Sequence, residues 1–79
     1  MLIRSQDKQG IYNLDNMQGI TVVKMMKDNS INYTIEIYFT KDTYRLGRYR
    51  TQEIALNILD HICSMYEFSR NGVFQMPEV

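Results

Sequence analysis

The sequence predicts an α+β fold: a small antiparallel β-sheet of about five strands with one amphipathic helix packed on one face. Three observations predict it. Residues 31–39 (INYTIEIYF) alternate apolar and polar side chains without a break, the period of a strand with one buried face. From Ile54 to Tyr66 apolar residues instead recur at helical spacing, just after Thr51. Two short polar segments, 27–30 and 40–42, separate strand-like runs and set them up as a meander.

The elements follow in order along the chain. Leu2 to Arg4 open a short apolar segment, and Gln6 to Gly10 form a polar turn that leads to Ile11 and Tyr12, so residues 2–13 read as a hairpin. Asp15 and Asn16 favour a second turn. Residues 18–26 (QGITVVKMM) are rich in β-branched side chains and read as a strand. Its alternation is imperfect: Ile20 and Val22 share one face, Val23 and Met25 the other, which implies that both faces are covered or that a bulge switches the register. After the turn Lys27-Asp28-Asn29-Ser30 comes the cleanly alternating strand 31–39, then the turn Thr40-Lys41-Asp42. Residues 43–49 (TYRLGRY) return as a strand, interrupted at Gly47, where a bulge or a close backbone approach is expected.

Thr51 is the expected N-cap of the helix, because its hydroxyl can accept a free backbone N–H. Glu53 suits the positive end of the helix dipole. Ile54, Ala55, Ile58, Leu59, Ile62, Cys63 and Tyr66 form the stripe that should cover the sheet, and Leu56 lies off it. Asn71-Gly72 supplies the stop, with Gly72 expected in the left-handed conformation. Val73, Phe74 and Met76 then suggest a short edge strand before Pro77.

Composition narrows the function. The 79 residues suffice for one domain, 1–79, whose small size lets it bury only about 60% of its unfolded surface. Cys63 stands alone, so no intramolecular disulfide forms, and with His61 as the one histidine no closed zinc site can be built. Self-association is the remaining way to supplement a small core, and a homo-oligomer is expected. Nine basic residues balance nine acidic ones, without the positive bias of a general nucleic-acid binder. The opening MLIRSQDKQG lacks the apolar run of a signal peptide, and no stretch approaches the length of a membrane span, so a cytoplasmic protein with no membrane partner is expected.

Catalytic constellations are missing from the pattern. His61 and Cys63 lie two residues apart, about 200° around a helix, and cannot form a dyad. Cys63 belongs to the apolar stripe and is expected in the core, while His61 fits a solvated helix face. Glu53, Asp60 and Glu67 recur every seven residues along one face, the wet side of a helix. No phosphate loop, paired catalytic acids or metal spacing is present, which points to a non-enzymatic protein with no cofactor.

The sharpest local feature is Tyr44-Arg45-Leu46-Gly47-Arg48-Tyr49-Arg50, which holds three of the five arginines and two of the six tyrosines. On a regular strand Arg45, Gly47 and Tyr49 share one face, and Tyr44, Leu46, Arg48 and Arg50 the other. Arginine forks bind phosphate bidentately and tyrosine rings stack on bases, so Tyr44, Arg45, Arg48, Tyr49 and Arg50 are the candidate ligand-binding residues. The competing reading makes Tyr44 and Leu46 core and the arginines the protective charges of an edge strand. Glu36 and Tyr38 are the expected cross-strand partners of Arg45. Met17, Met25 and Met26, with Leu56 and Tyr38, could line an adaptable interface.

Three segments carry a resemblance. Ile3 to Asp7 (IRSQD), Leu46 to Ile62 (LGRYRTQEIALNILDHI) and Met76 to Glu78 (MPE) resemble a small uncharacterised protein family of Firmicutes and their phages. The likeness covers about half the chain, and residues 11–42 match only in pattern. It implies a fold and a host range, and it carries no activity and no functional residues. Small phage proteins of this size often act against host defences, some as sponges. By that analogy the chain is expected to be a binding protein that sequesters a nucleotide-type immune signal. The alternative is a protein–protein module that inhibits or assists a host protein. Nucleic-acid binding through the basic strand comes third.

Overall fold

A computed structural model describes residues 1–68 and 71–79. The strands are β1 (Leu2–Arg4), β2 (Ile11–Asn13), β3 (Gly19–Lys27), β4 (Ser30–Tyr38), β5 (Thr43–Tyr49) and β6 (Val73–Gln75). Among the described residues one α-helix, α1 (Gln52–Phe68), follows β5, and a short 3-10 turn at Leu14–Asn16 precedes β3. The class is α+β, as predicted, but the strands form two sheets rather than one. The meander pairs in the order β3-β4-β5, and a second sheet pairs in the order β2-β1-β6. The second sheet is not wholly antiparallel, because β6 runs parallel to β1 with Ile3 opposite Phe74.

Local chemistry explains most elements. Asp28 and Asn29 both take positive φ, of 51° and 65°, which gives a two-residue hairpin turn whose twist suits the strands. It locks β3 to β4 in unbroken register from Gly19–Tyr38 to Lys27–Ser30, so β3 contains no bulge. Its mixed pattern reflects two half-covered faces, with Ile20 and Val22 toward the helix and Thr21 and Val23 away from it. The Thr51 hydroxyl accepts the Ile54 N–H at 3.1 Å and caps α1 as predicted. The expected end of the helix, just before Asn71-Gly72, lies outside the described residues. Among the described residues no glycine takes positive φ, so the left-handed Gly72 is not found.

The core lies between α1, the meander and the second sheet. Ile3, Leu14, Ile35, Ile37, Leu46, Tyr49, Ala55, Ile58, Ile62, Phe74 and Met76 form one buried cluster. The helix presents Ala55, Ile58 and Ile62 to it. The stripe is narrower than predicted: Leu59 is half-buried, Cys63 is exposed and Leu56 is exposed. Cys63 is therefore not a core side chain. It sits one step around the helix from Ile62 and lines an open cleft with Met17 and Ile20. Met65, absent from the predicted stripe, is half-buried against the core.

The two sheets are joined through the loop between β1 and β2. Gln6 donates its backbone N–H to the Leu46 carbonyl at 2.7 Å. Its side-chain Oε1 accepts the Arg48 N–H at 2.9 Å, while its Nε2 donates to the Arg48 carbonyl at 3.3 Å and to the Pro77 carbonyl at 3.2 Å. The amide thus behaves as a one-residue strand on the free edge of β5. Beside it the Tyr49 hydroxyl donates to the same Pro77 carbonyl at 2.8 Å. Three distant segments meet there, and they are the segments IRSQD, LGRY and MPE.

Gly47 makes this junction possible. The Tyr49 ring lies back over it, and a Cβ at position 47 would stand 2.5 Å from the Tyr49 hydroxyl oxygen and 2.8 Å from its ring. Tyr49 is only 1% exposed and is pinned to Pro77, so the ring cannot swing away. Gly47 is accordingly a seat for a core tyrosine rather than an opening for a ligand. Gly47→Ala is expected to destabilise the fold by about 1–3 kcal/mol, the cost of overpacking a fixed core side chain. Urea unfolding measures it, and an unchanged midpoint would show that Tyr49 does not pack over Gly47.

Candidate functional site

The geometry of the candidate strand turns on a bulge. Along the β4–β5 ladder Ile35 faces Gly47, but its neighbour Glu36 faces Arg45, so Leu46 is an extra residue. One extra residue reverses the parity of everything on one side of it. Leu46 is buried, and Tyr44, Gly47 and Tyr49 all fall on the helix side of the sheet, in line with Ile37, Ile35 and Tyr33. Arg45 and Arg48, which a regular strand would separate, now share the outer face, in line with Glu36 and Thr34.

The five predicted residues are therefore divided. Arg45 and Arg48 come together, exposed, on the face that no helix covers. Arg50 is exposed just past the end of β5. Tyr49 is core, and burial pushes its hydroxyl up to about 12. Tyr44 lies on the other face, its ring 4.9 Å from that of Tyr12 and 6.0 Å from that of Phe39. Burial pushes the Tyr12 phenol up as well, with Tyr44 and Asp7 adding to it. Neither Tyr44 nor Tyr49 can stack on a ligand held by the two arginines.

Residues that sequence reasoning missed complete the outer face. A recess of about 270 Å³ is lined by Met25, Lys27, Asn32, Thr34, Arg45 and Arg48. A second, of about 140 Å³, is lined by Gln6, Asp7, Leu46 and Gly47 with the same two arginines, which form the wall between the recesses. Thr34 is fully buried at the floor, and its hydroxyl lies 3.4 Å from the Val23 carbonyl and 3.2 Å from Glu36 Oε2. Glu36 faces Arg45 across the ladder, as predicted. Among the described residues, however, neither guanidinium and neither Lys27 nor Arg50 makes an ion pair. Tyr38 is the aromatic residue on this face, in line with Thr43.

Asp7 is the nearby carboxylate at the second recess, and it is already engaged. The Ser5 hydroxyl donates to its Oδ1 at 2.6 Å and the Gln9 N–H donates to the same oxygen at 2.9 Å. The Ser5 bond first, and the Gln9 bond second, hold its carboxyl below the ordinary value of 3.8. The arrangement provides exposed cationic donors beside the Asn32 amide, a set whose chemistry suits an oxyanion. Its carboxylates are Asp7 and Glu36. His61 lies on α1 and packs edge-on against Phe74 at 5.3 Å, and Cys63 faces a different cleft. Among the described residues no group of acidic, histidine or cysteine side chains could hold a metal. No described helix is long and apolar enough to cross a membrane.

No family model, curated protein or solved structure matches the chain.

The lowered Asp7 carboxyl gives a direct check on the loop that carries Gln6. A depressed carboxyl contributes stability above its unfolded value, and that contribution fades as pH falls through the folded value. Ser5→Ala should move the Asp7 midpoint, read by NMR titration, back up toward 3.8. An Asp7 midpoint unmoved by the substitution would show that the Ser5 bond is not made.

Proposed function

We propose that the outer face of the meander binds a small phosphorylated ligand and that the protein acts by holding it, not by transforming it. One observation carries the reading: the bulge at Leu46 aligns Arg45 and Arg48 on one face, where among the described residues neither makes an ion pair although Glu36 lies opposite Arg45. Charges kept only to protect an edge would need no such alignment, and the edge of β5 is already closed by Gln6. Two guanidiniums, with Lys27 and the Asn32 amide at the same recess, suit a phosphate better than a carboxylate because they can serve more than two oxygens. Tyr38, on the same face, offers a ring for a base, which favours a nucleotide over inorganic phosphate. The reading fits a sponge that sequesters a nucleotide-type signal.

Calorimetry of the purified protein with cyclic nucleotides, ADP-ribose and inorganic phosphate tests the proposal. Arg45→Ala and Arg48→Ala should each weaken nucleotide binding by about tenfold to a hundredfold, the worth of one charge-assisted hydrogen bond. Both side chains are exposed, so the unfolding free energy should stay within about 0.5 kcal/mol of the parent. Absence of heat with every ligand, or binding indifferent to both substitutions, removes this function from the outer face.

A further inference from the structure

The two edges of the meander are built differently. The edge of β5 is occupied by the Gln6 amide, whereas among the described residues no hydrogen bond from another element reaches the outer edge of β3. β3 is nine residues long, Gly19–Lys27, with no proline and no register break against β4. Shortness, proline and bulges usually blunt an exposed edge, and β3 has none of these; its one mid-strand charge is Lys24. The two-residue turn makes Lys27 and Ser30 a hydrogen-bonded pair. Odd-numbered residues of β3 therefore face β4, and the N–H and C=O groups of Ile20, Val22, Lys24 and Met26 point outward.

The ends of this edge are complementary. At one end lies an apolar cleft of about 330 Å³ between the start of β3 and α1, lined chiefly by Leu14, Met17, Ile20, Leu59, Cys63 and Tyr66. At the other end β3 and β4 run past the last β5 pair, Tyr33 with Tyr49, as a two-stranded arm. There Met26 is 73% exposed and Ile31, opposite it, is 44% exposed. Ile20 and Met26 share the helix-side face, six residues or about 20 Å apart. A two-fold axis through the middle of β3 exchanges knob and cleft.

We infer that β3 pairs antiparallel with β3 of a second copy, with Val23 on the two-fold axis, so that Met26 of each copy enters the apolar cleft of the other. The pair of meanders becomes one six-stranded sheet with both helices on the same side. Charge selects this register. With Lys24 on the axis, the two ammonium groups would face each other. With Val22 on the axis, Lys24 in place of Met26 would lie over the apolar cleft beside Ile20 of the other copy, and Met26 would pass beyond it, opposite Gln18. With Val23 on the axis, Lys24 lies opposite Val22, one step from the cleft whose charged lining residue is Asp60. Among the described residues Lys24 and Asp60 make no ion pair within the chain, and each meets an opposite charge across the interface. The outer-face arginines lie along the far edge and stay accessible in this dimer.

Light scattering and disulfide trapping test the dimer and its register. The parent protein should have twice its 9.4 kDa mass. Val23→Cys in a Cys63→Ser background should cross-link nearly completely under mild oxidation. Non-hydrogen-bonded partners sit about 4.5 Å apart at Cα, within disulfide reach. Thr21→Cys in the same background should not cross-link, since the two cysteines would lie about 13 Å apart. Met26→Glu, at a site exposed in the single chain, should give a folded 9.4 kDa monomer by circular dichroism and scattering. A parent that is monomeric at millimolar concentration overturns the proposal. So does a dimer that fails to cross-link at position 23, cross-links at 21, or survives Met26→Glu.

Discussion

The side-chain amide of Gln6 is the interaction on which the architecture depends. The meander and the β2-β1-β6 sheet share no strand, and the amide with its own backbone N–H binds the second sheet to the edge of the first. Each of these hydrogen bonds contributes only about 1 kcal/mol net. Their weight lies in the alternative: without Gln6 the Leu46 and Arg48 backbone groups would lose their partners beside a packed core. Pro77 closes the arrangement by accepting from both Gln6 and Tyr49, so the C-terminal segment, the first loop and β5 hold one another in place. A chain this short, without a disulfide, gains cooperativity from tying its ends to its middle in this way.

The bulge at Leu46 follows from the same junction and sets the surface chemistry. Tyr49 must lie on the helix side to reach Pro77, and Tyr44 must lie there to join Tyr12 and Phe39. An even strand could not place both tyrosines on one face, since they are five residues apart. The extra residue resolves the conflict, buries Leu46, and leaves Arg45 and Arg48 together outside. The paired arginines are thus a geometric consequence of two aromatic anchors on the opposite face. A face arising this way is tied to the packing beneath it, because Arg48 cannot change face without moving the buried Tyr49, nor Arg45 without moving Tyr44 off Tyr12 and Phe39.

What the sequence made legible was local. The alternation of β4 was readable because β4 is the central strand and its inner side chains Ile35 and Ile37 are fully buried. The Thr51 cap and the Asp28-Asn29 turn depend on the nearest few residues, so they could be read directly. Gly47 is legible as an interruption, but whether it seats a ligand or a ring depends on where Tyr49 points, and that depends on Pro77, 28 residues away. The division into two sheets was illegible for the same reason. Nothing in the polar run Gln6 to Gly10 signals that its first residue will mimic a strand against Arg48. Cys63 continues an apolar stripe and so reads as core, yet it lines an open cleft beside Met17 and Ile20, a placement set by how the helix docks and not by its own neighbours.

The docking of the helix also links the two faces of the molecule. A helix that offers Leu59 and Cys63 to an open cleft beside the start of β3 is matched to a broader sheet than one chain provides. On the β5 side the shortfall is met from within, by Gln6 and the Pro77 segment. On the β3 side the chain offers an open nine-residue ladder, an apolar cleft and an apolar arm of the length needed to reach it. The exposed arm is hard to explain as part of a lone domain, because Met26 and Ile31 contribute nothing to the core and face water. They acquire a physical role once a second β3 lies alongside, where the arm that overhangs one helix becomes the cover of the other.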